Sequence, residues 1–246
     1  MKSLTKLLLF IALATGAASH TFANIHPKAI AVQNNTVDRH LSGFSSVEVS
    51  GSFDVFITQG SAESVKVTAP SEVIDRIITE VNDGVLKIYT KKGTDFNNLF
   101  GGLHKKIAIY ISAKSVNGIA LAGSGDVYFK DGLRADSFKL KLSGSGDVTG
   151  KLDVKSLESN LSGSGDIRLS GHADNLSVGV VGSGDFSAKE LISNTAAVRI
   201  AGSGDVRINV NQKLDASVVG SGDIYYTGSV KNINSSKAGS GEIHRM

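Results

Sequence analysis

The chain has 246 residues, with 26 lysines and arginines against 23 acidic residues, 28 glycines and only 2 prolines. It contains no cysteine and no tryptophan, which excludes disulfides, thiolate metal sites and cysteine nucleophiles. Its 41% apolar content is enough for the core of one large domain or two small ones, and too high for a disordered chain.

The N-terminus reads as an export signal. Lys2 and Lys6 precede an apolar run from Leu7 to Ala18 that is short for a membrane span. Ala17-Ala18-Ser19 and Thr21-Phe22-Ala23 both place small residues at cleavage positions, and cleavage after Ala23 is expected. The alternative is an uncleaved anchor; a lipoprotein is excluded because no cysteine can carry the lipid. The predicted mature chain keeps 24 basic residues against 23 acidic ones, so no basic excess points to nucleic acid, and no transmembrane segment remains in it. The predicted location is the periplasm, cell surface or extracellular space.

Residues 24–43 form a lead segment before a single predicted domain at 44–243. Its first part, 44–117, reads as irregular β structure. "VEVSGSFDVFITQG" and "VKVTA" have strand character. "RIITEVNDGVLKIYT" reads as two strands around Asp83-Gly84, a hairpin signal. Residues 71–81 also carry helical spacing at Val73, Ile74, Ile77, Ile78 and Val81; their β-branched density favours strand. "KKGTDFNNLFGG", from Lys91 to Gly102, reads as a long loop, and "KIAIYIS" leads into a regular region.

From Gly118 to Ile243 one motif recurs. Gly-Ser-Gly-Asp starts at Gly123, Gly144, Gly163, Gly182, Gly202, Gly220 and Gly239, and the last copy ends in Glu242. A weaker copy, Gly51-Ser52-Phe53-Asp54, lies upstream. Two residues before each first glycine stand Leu121, Leu142, Leu161, Val180, Ile200, Val218 and Lys237. Just after each acid stand Val127, Val148, Ile167, Phe186, Val206, Ile224 and Ile243. This alternation is that of strands with one buried face. A period of about 19 residues with glycine corners predicts an all-β parallel solenoid, roughly seven turns and 34 Å long at 4.8 Å per rung. Lys237 breaks an aliphatic row in the last turn, as an end cap would. The second glycines of the motif, Gly125, Gly146, Gly165, Gly184, Gly204, Gly222 and Gly241, are read with the first as structural turn residues. The aspartate is read as an acceptor of nearby backbone N–H groups, as in an Asx-turn.

"FSSVEVSGSFDVFITQG", "ITEVNDGVLKIYT" and the repeated "GSGDV" together resemble the head GIN domain family of auto-transporter adhesins, over roughly Phe44 to Ile243. The resemblance implies an exported protein with a right-handed parallel β-helix, and it brings no catalytic residues.

Three chemistries can be weighed. Asp126, Asp147, Asp166, Asp185, Asp205 and Asp223 would stack as a carboxylate column, the candidate calcium ladder. One acid per turn falls short of the six to eight oxygens calcium wants. Two residues after each acid stand Tyr128, Thr149, Arg168, Ser187, Arg207, Tyr225 and His244, which would share the outer face and neutralise the acids. Two places further, Lys130, Lys151, Ser170, Lys189, Asn209, Thr227 and Met246 would add a partly basic column. Tyr128, Arg168, Arg207 and Tyr225 are therefore the candidate binding face, for a glycan or an envelope protein. No metal and no cofactor is expected. A carbohydrate-active β-helix enzyme is the rival reading, but equivalent acids do not divide into an acid and a base. The expected function is a non-enzymatic binding or structural protein of the bacterial envelope, adhesin-like.

Overall fold

The structure, a computed structural model, describes residues 34–93 and 106–246. The predicted signal segment and most of the Lys91–Gly102 loop lie outside the described residues. The described chain is a parallel β-solenoid. Its only helical element among these residues is a 3-10 turn, Ile74–Arg76.

The strands in chain order are β1 (Asn34–Asp38), β2 (Ser46–Gly51), β3 (Asp54–Gln59), β4 (Ser64–Pro70), β5 (Ile77–Asn82), β6 (Val85–Thr90), β7 (Ala108–Ala113) and β8 (Gly118–Gly123). Long strands follow: β9 (Asp126–Gly144), β10 (Val148–Gly163), β11 (Ile167–Gly182), β12 (Phe186–Gly202) and β13 (Val206–Gly220). The chain ends with β14 (Ile224–Thr227), β15 (Asn232–Gly239) and β16 (Ile243–Arg245). Each long strand is nearly a whole turn, broken only by the Ser-Gly-Asp corner. Parallel pairing runs from β9 through β13 without interruption.

The rows read from sequence are ladders in the structure. Ile88, Val49, Leu121, Leu142, Leu161, Val180, Ile200 and Val218 stack in one register and are at most 2% exposed. Each such aliphatic side chain contributes about 1.5–3 kcal/mol of burial. Lys237 follows Val218 in this row and is exposed, because no rung lies beyond it.

Residues 44–117 are more regular than their sequence. β2 and β3 form a rung whose corner is Gly51-Ser52-Phe53-Asp54, in register with the Gly123 corner. β6 and β7 form another rung on the far side of it, parallel to β2 and β3. The chain thus builds one rung, lays the next outside it, and returns to continue on the inner side. Antiparallel strands close that end: β5 pairs with β6, β4 with β7, and β1 with β4. Asp83 and Gly84 join β5 to β6 with φ of 51° and 75°, the left-handed pair a tight hairpin needs. The stretch with helical spacing spends one 3-10 turn at Ile74–Arg76 and then becomes β5, held in part by Arg39, whose guanidinium donates to the Ile74 carbonyl at 2.7 Å. β1 lies within the lead segment, where no strand is expected; its residues are almost all exposed and carry no apolar alternation.

Repeat length varies from rung to rung, and the variation is absorbed away from the corners. Register shifts fall between Gly150 and Leu152, between Arg168 and Ser170, and between Ala188 and Ile192. The expected column at Lys151, Ser170 and Lys189 is therefore not continuous. Ser170 pairs with Glu190, and Asn209 with Ile192. The extra or missing residues are accommodated at this position of the turn, so it cannot hold a ladder.

Candidate functional site

The corners set the geometry. The first glycine of each copy has φ between 118° and 145°, a region closed to most side chains. The second glycine is buried and fails for another reason. A Cβ on Gly146, Gly165 or Gly204 would lie within 2.0 Å of the carbonyl oxygen of the equivalent glycine one rung earlier. Phe53 takes the second-glycine place in the outermost corner and is 1% exposed, at the start of the glycine stack.

In the five corners that start at Gly144, Gly163, Gly182, Gly202 and Gly220, three consecutive N–H groups face the preceding rung. Those of Ser164 and Gly165 both donate to the Gly144 carbonyl, at 3.0 and 3.2 Å. The third, on Asp166, donates to Oδ1 of Asp147 at 2.9 Å. The same bond joins Asp147 to Asp126, Asp185 to Asp166, Asp205 to Asp185, Asp223 to Asp205 and Glu242 to Asp223, all within 3.1 Å. The acid thus bonds between rungs and not within a local Asx-turn. The backbone has already committed one carbonyl to two donors, and the carboxylate provides the acceptor for the third.

The other carboxylate oxygen looks outward to the residue two places on. Tyr128 and Tyr225 donate their hydroxyls to Asp126 and Asp223 at 3.1 and 3.0 Å. Arg168 pairs with Asp166 at 2.5 Å and Asp147 at 3.5 Å; Arg207 pairs with Asp205 at 3.0 Å and Asp185 at 3.5 Å. His244 Nε2 lies 3.1 Å from Glu242. Each arginine thus spans two rungs. The amide of Glu242, and then the Tyr225 hydroxyl, hold the Asp223 carboxyl below its ordinary range. The Asp223 bond pushes the Tyr225 phenol up; burial, then Asp126, does the same to Tyr128.

The structure brings Tyr128, Arg168, Arg207 and Tyr225 into one column, with Thr149 and Ser187 between them. The column continues through Phe56 and Tyr110, which the sequence reading missed. Taking the Asp54 copy of the motif as a full rung would have exposed Phe56, two places after it. Phe56 is stacked on both faces, by Tyr110 and Tyr128, each at 5.2 Å. Tyr225 is likewise covered, by the Arg207 guanidinium at 5.1 Å and the His244 ring at 5.4 Å. Both faces of the Phe56 and Tyr225 rings are thus occupied, and Tyr225 presents its edge and hydroxyl. The six aspartates of the column are tied to amides, guanidinium groups and hydroxyls. No cluster of three or more metal-ligating side chains occurs among the described residues.

Comparison with known proteins agrees with this architecture. A putative adhesin from Bacteroides fragilis superposes with a TM-score of 0.81 at 26% identity, covering 87% of this chain and 97% of that one. A protein from Parabacteroides distasonis described as a putative lipid binding protein gives 0.66 at 28% identity, with the same coverage. A putative adhesin from Parabacteroides merdae, 20% identical, shares the fold with a TM-score of 0.69 over 87% of this chain and 96% of that one. No curated protein matches the chain. No helix of the described residues is long and apolar enough to cross a membrane. The sequence pattern described as "Putative auto-transporter adhesin, head GIN domain" matches residues 43–243, and the chain belongs to that family.

Proposed function

We propose that the protein is an exported, non-enzymatic, adhesin-like binding protein of the bacterial cell envelope. The observation that carries this reading is the sameness of the corner column. Every aspartate from Asp126 to Asp223 has one oxygen on the next rung's amide, and those beside a tyrosine or arginine have the other on that side chain. Carboxylate catalysis needs two groups in unlike environments, one proton donor and one base or nucleophile. A repeated environment instead makes a long, rigid surface of fixed polar groups. Export rests on the basic start and the apolar run from Leu7 to Ala18. Tyr128, Arg168, Arg207 and Tyr225 are proposed to contact a partner through hydroxyl and guanidinium groups, since the ring faces of Tyr225 are covered.

The test is a binding screen of the purified protein against glycans and envelope extract, run beside a polysaccharide degradation assay. Retention of envelope components without sugar release is the expected result. Sugar release abolished by one carboxylate substitution that leaves the fold intact would overturn the reading.

A further inference from the structure

The solenoid carries a second long outer strip, on the strands that lead into each corner. Two columns face outward there, five and three places before the first glycine of each rung, and both are in register from β2 to β15. Their side chains are unusually short at Gly118, Ala120, Ser177, Gly179, Ala197 and Ser217. Three depressions of about 280, 480 and 240 Å³ follow one another along this strip. The first two share Glu158; the second and third share Ala197 and Asp215. Together they make one shallow groove along the coil axis, widened in the middle over the neighbouring column Ser156, Asn175, Thr195 and Lys213, and roughly 34 Å long over the seven 4.8 Å steps between eight rungs.

The groove offers hydrogen-bond donors and acceptors in alternation, and they are held in place. Lys213 pairs with Asp215 at 2.7 Å, and Asn234 donates to the same carboxylate at 2.7 Å. Asn160 donates to Glu158 at 3.2 Å, and Thr195 to Asn175 at 2.8 Å. Lys139 lies 3.9 Å from Glu158. Positive and negative groups alternate along the strip, so neither a polyanion nor a polycation is matched. The strands on the floor are paired on both sides, which leaves no free edge for strand addition by a peptide. The lining exposes more apolar than polar surface, but its hydrogen-bonding groups recur along the whole groove, and an acyl chain would leave them without a partner there. What fits is an uncharged polymer whose regularly spaced hydroxyls both donate and accept.

We propose that this groove is the track for an extended, uncharged glycan lying along the solenoid axis. The proposal rests on the adhesin-like reading and specifies its ligand. One sugar of an extended chain advances by about one rung, so successive sugars meet successive rungs. Binding is spread over many weak polar contacts and strengthens with chain length. Bulk placed on the floor blocks the track without touching the interior.

The test is calorimetric titration of the full exported chain with uncharged linear oligosaccharides of β-1,4, β-1,3 and α-1,4 linkage, from two sugars to about seven, the number the groove length admits. Anionic phospholipid vesicles and heparin are the lipid and polyanion arms. Ser177→Trp and Ala197→Trp fill the floor; Asp153→Trp adds the same bulk outside the groove, at a side chain 63% exposed. Melting curves matching the parent protein establish that each variant is folded. The proposal expects affinity for at least one linkage that rises with length. It expects a loss of about tenfold or more, or 1.4 kcal/mol, with each groove variant and none with Asp153→Trp. It is overturned if no oligosaccharide binds, if both groove variants bind as the parent does, or if vesicles or heparin bind in place of sugar. Capture of envelope extract that persists in Ser177→Trp would remove the groove while leaving the adhesin-like reading intact. Sugar release would remove that reading itself.

Discussion

From the Gly144 corner to the Gly220 corner, each Gly-Ser-Gly-Asp copy directs three successive amides at the rung before it, and the chemistry of the motif follows from that. Gly165→Ala places a Cβ 1.9 Å from the Gly146 oxygen, a backbone atom held by its own rung. The expected cost is about 4 kcal/mol or more, read by urea unfolding. Asp166→Asn keeps the Oδ1 acceptor for the Asp185 amide and loses only a half-exposed pair with Arg168. It should cost no more than about 1 kcal/mol, while Asp166→Ala, which orphans that amide, should cost about 1–3 kcal/mol. Equal losses for the two variants would show that charge, and not the hydrogen bond, is what the position supplies. Ser159 is a different case. It sits in an inward row between Leu140 and Val178, 1% exposed, and its hydroxyl has no hydrogen-bond partner. Ser159→Ala removes a buried polar group without a new contact and should raise stability by about 1 kcal/mol in the same assay.

At the scale of the strand, position along the coil decides what a row tolerates. Leu161 and Lys237 occupy the same inward row, one in the middle and one at the end. Leu161→Asp should unfold the coil, with a cost above about 4 kcal/mol, because the charge is enclosed by Leu142 and Val180. Lys237→Asp should change stability by less than about 0.5 kcal/mol, because that side chain already faces water. Similar effects from both would contradict the ladder. These rows were readable in the sequence because a strict alternation returns at an almost constant step, and a motif with two glycines marks each turn. Other elements were not readable. β6 and β7 stack outside β2 and β3 although they follow them in the chain, and alternation alone says nothing about which rung adjoins which. β1 has no apolar alternation at all, since backbone pairing with β4 is its main attachment. The column through Lys151 and Lys189 looked as regular as its neighbours, but equal offsets from a motif mean equal positions only where no residue is inserted between. Phe56 escaped notice because the Asp54 corner carries a phenylalanine where every later copy has glycine, and Tyr110 because it lies on β7, which stacks on β3 out of chain order.

For the whole molecule, the corner column is the spine that joins β3 to β16, and its bonds titrate at both extremes of pH. The Asp223 carboxyl lies below 3.8 in the folded chain, so its contribution is complete above that value and is lost as pH falls through the depressed folded value. Asp136 and Asp215, held down by Lys155 and Lys213, act in the same direction. Tyr128 and Tyr225 have phenols raised above 10.0; their contribution is complete below 10.0 and is lost as pH rises through the raised value. Thermal melts across pH should therefore show a broad plateau, falling below about pH 4 and above about pH 10. Within that plateau, amides, hydroxyls and guanidinium groups satisfy the aspartate column, and stability is predicted not to depend on a metal ion. Calorimetric melting at neutral pH, in excess calcium and in excess chelator, tests it most directly. The two melting temperatures are predicted to coincide; a melting temperature several degrees lower in chelator would show that the column is held by metal.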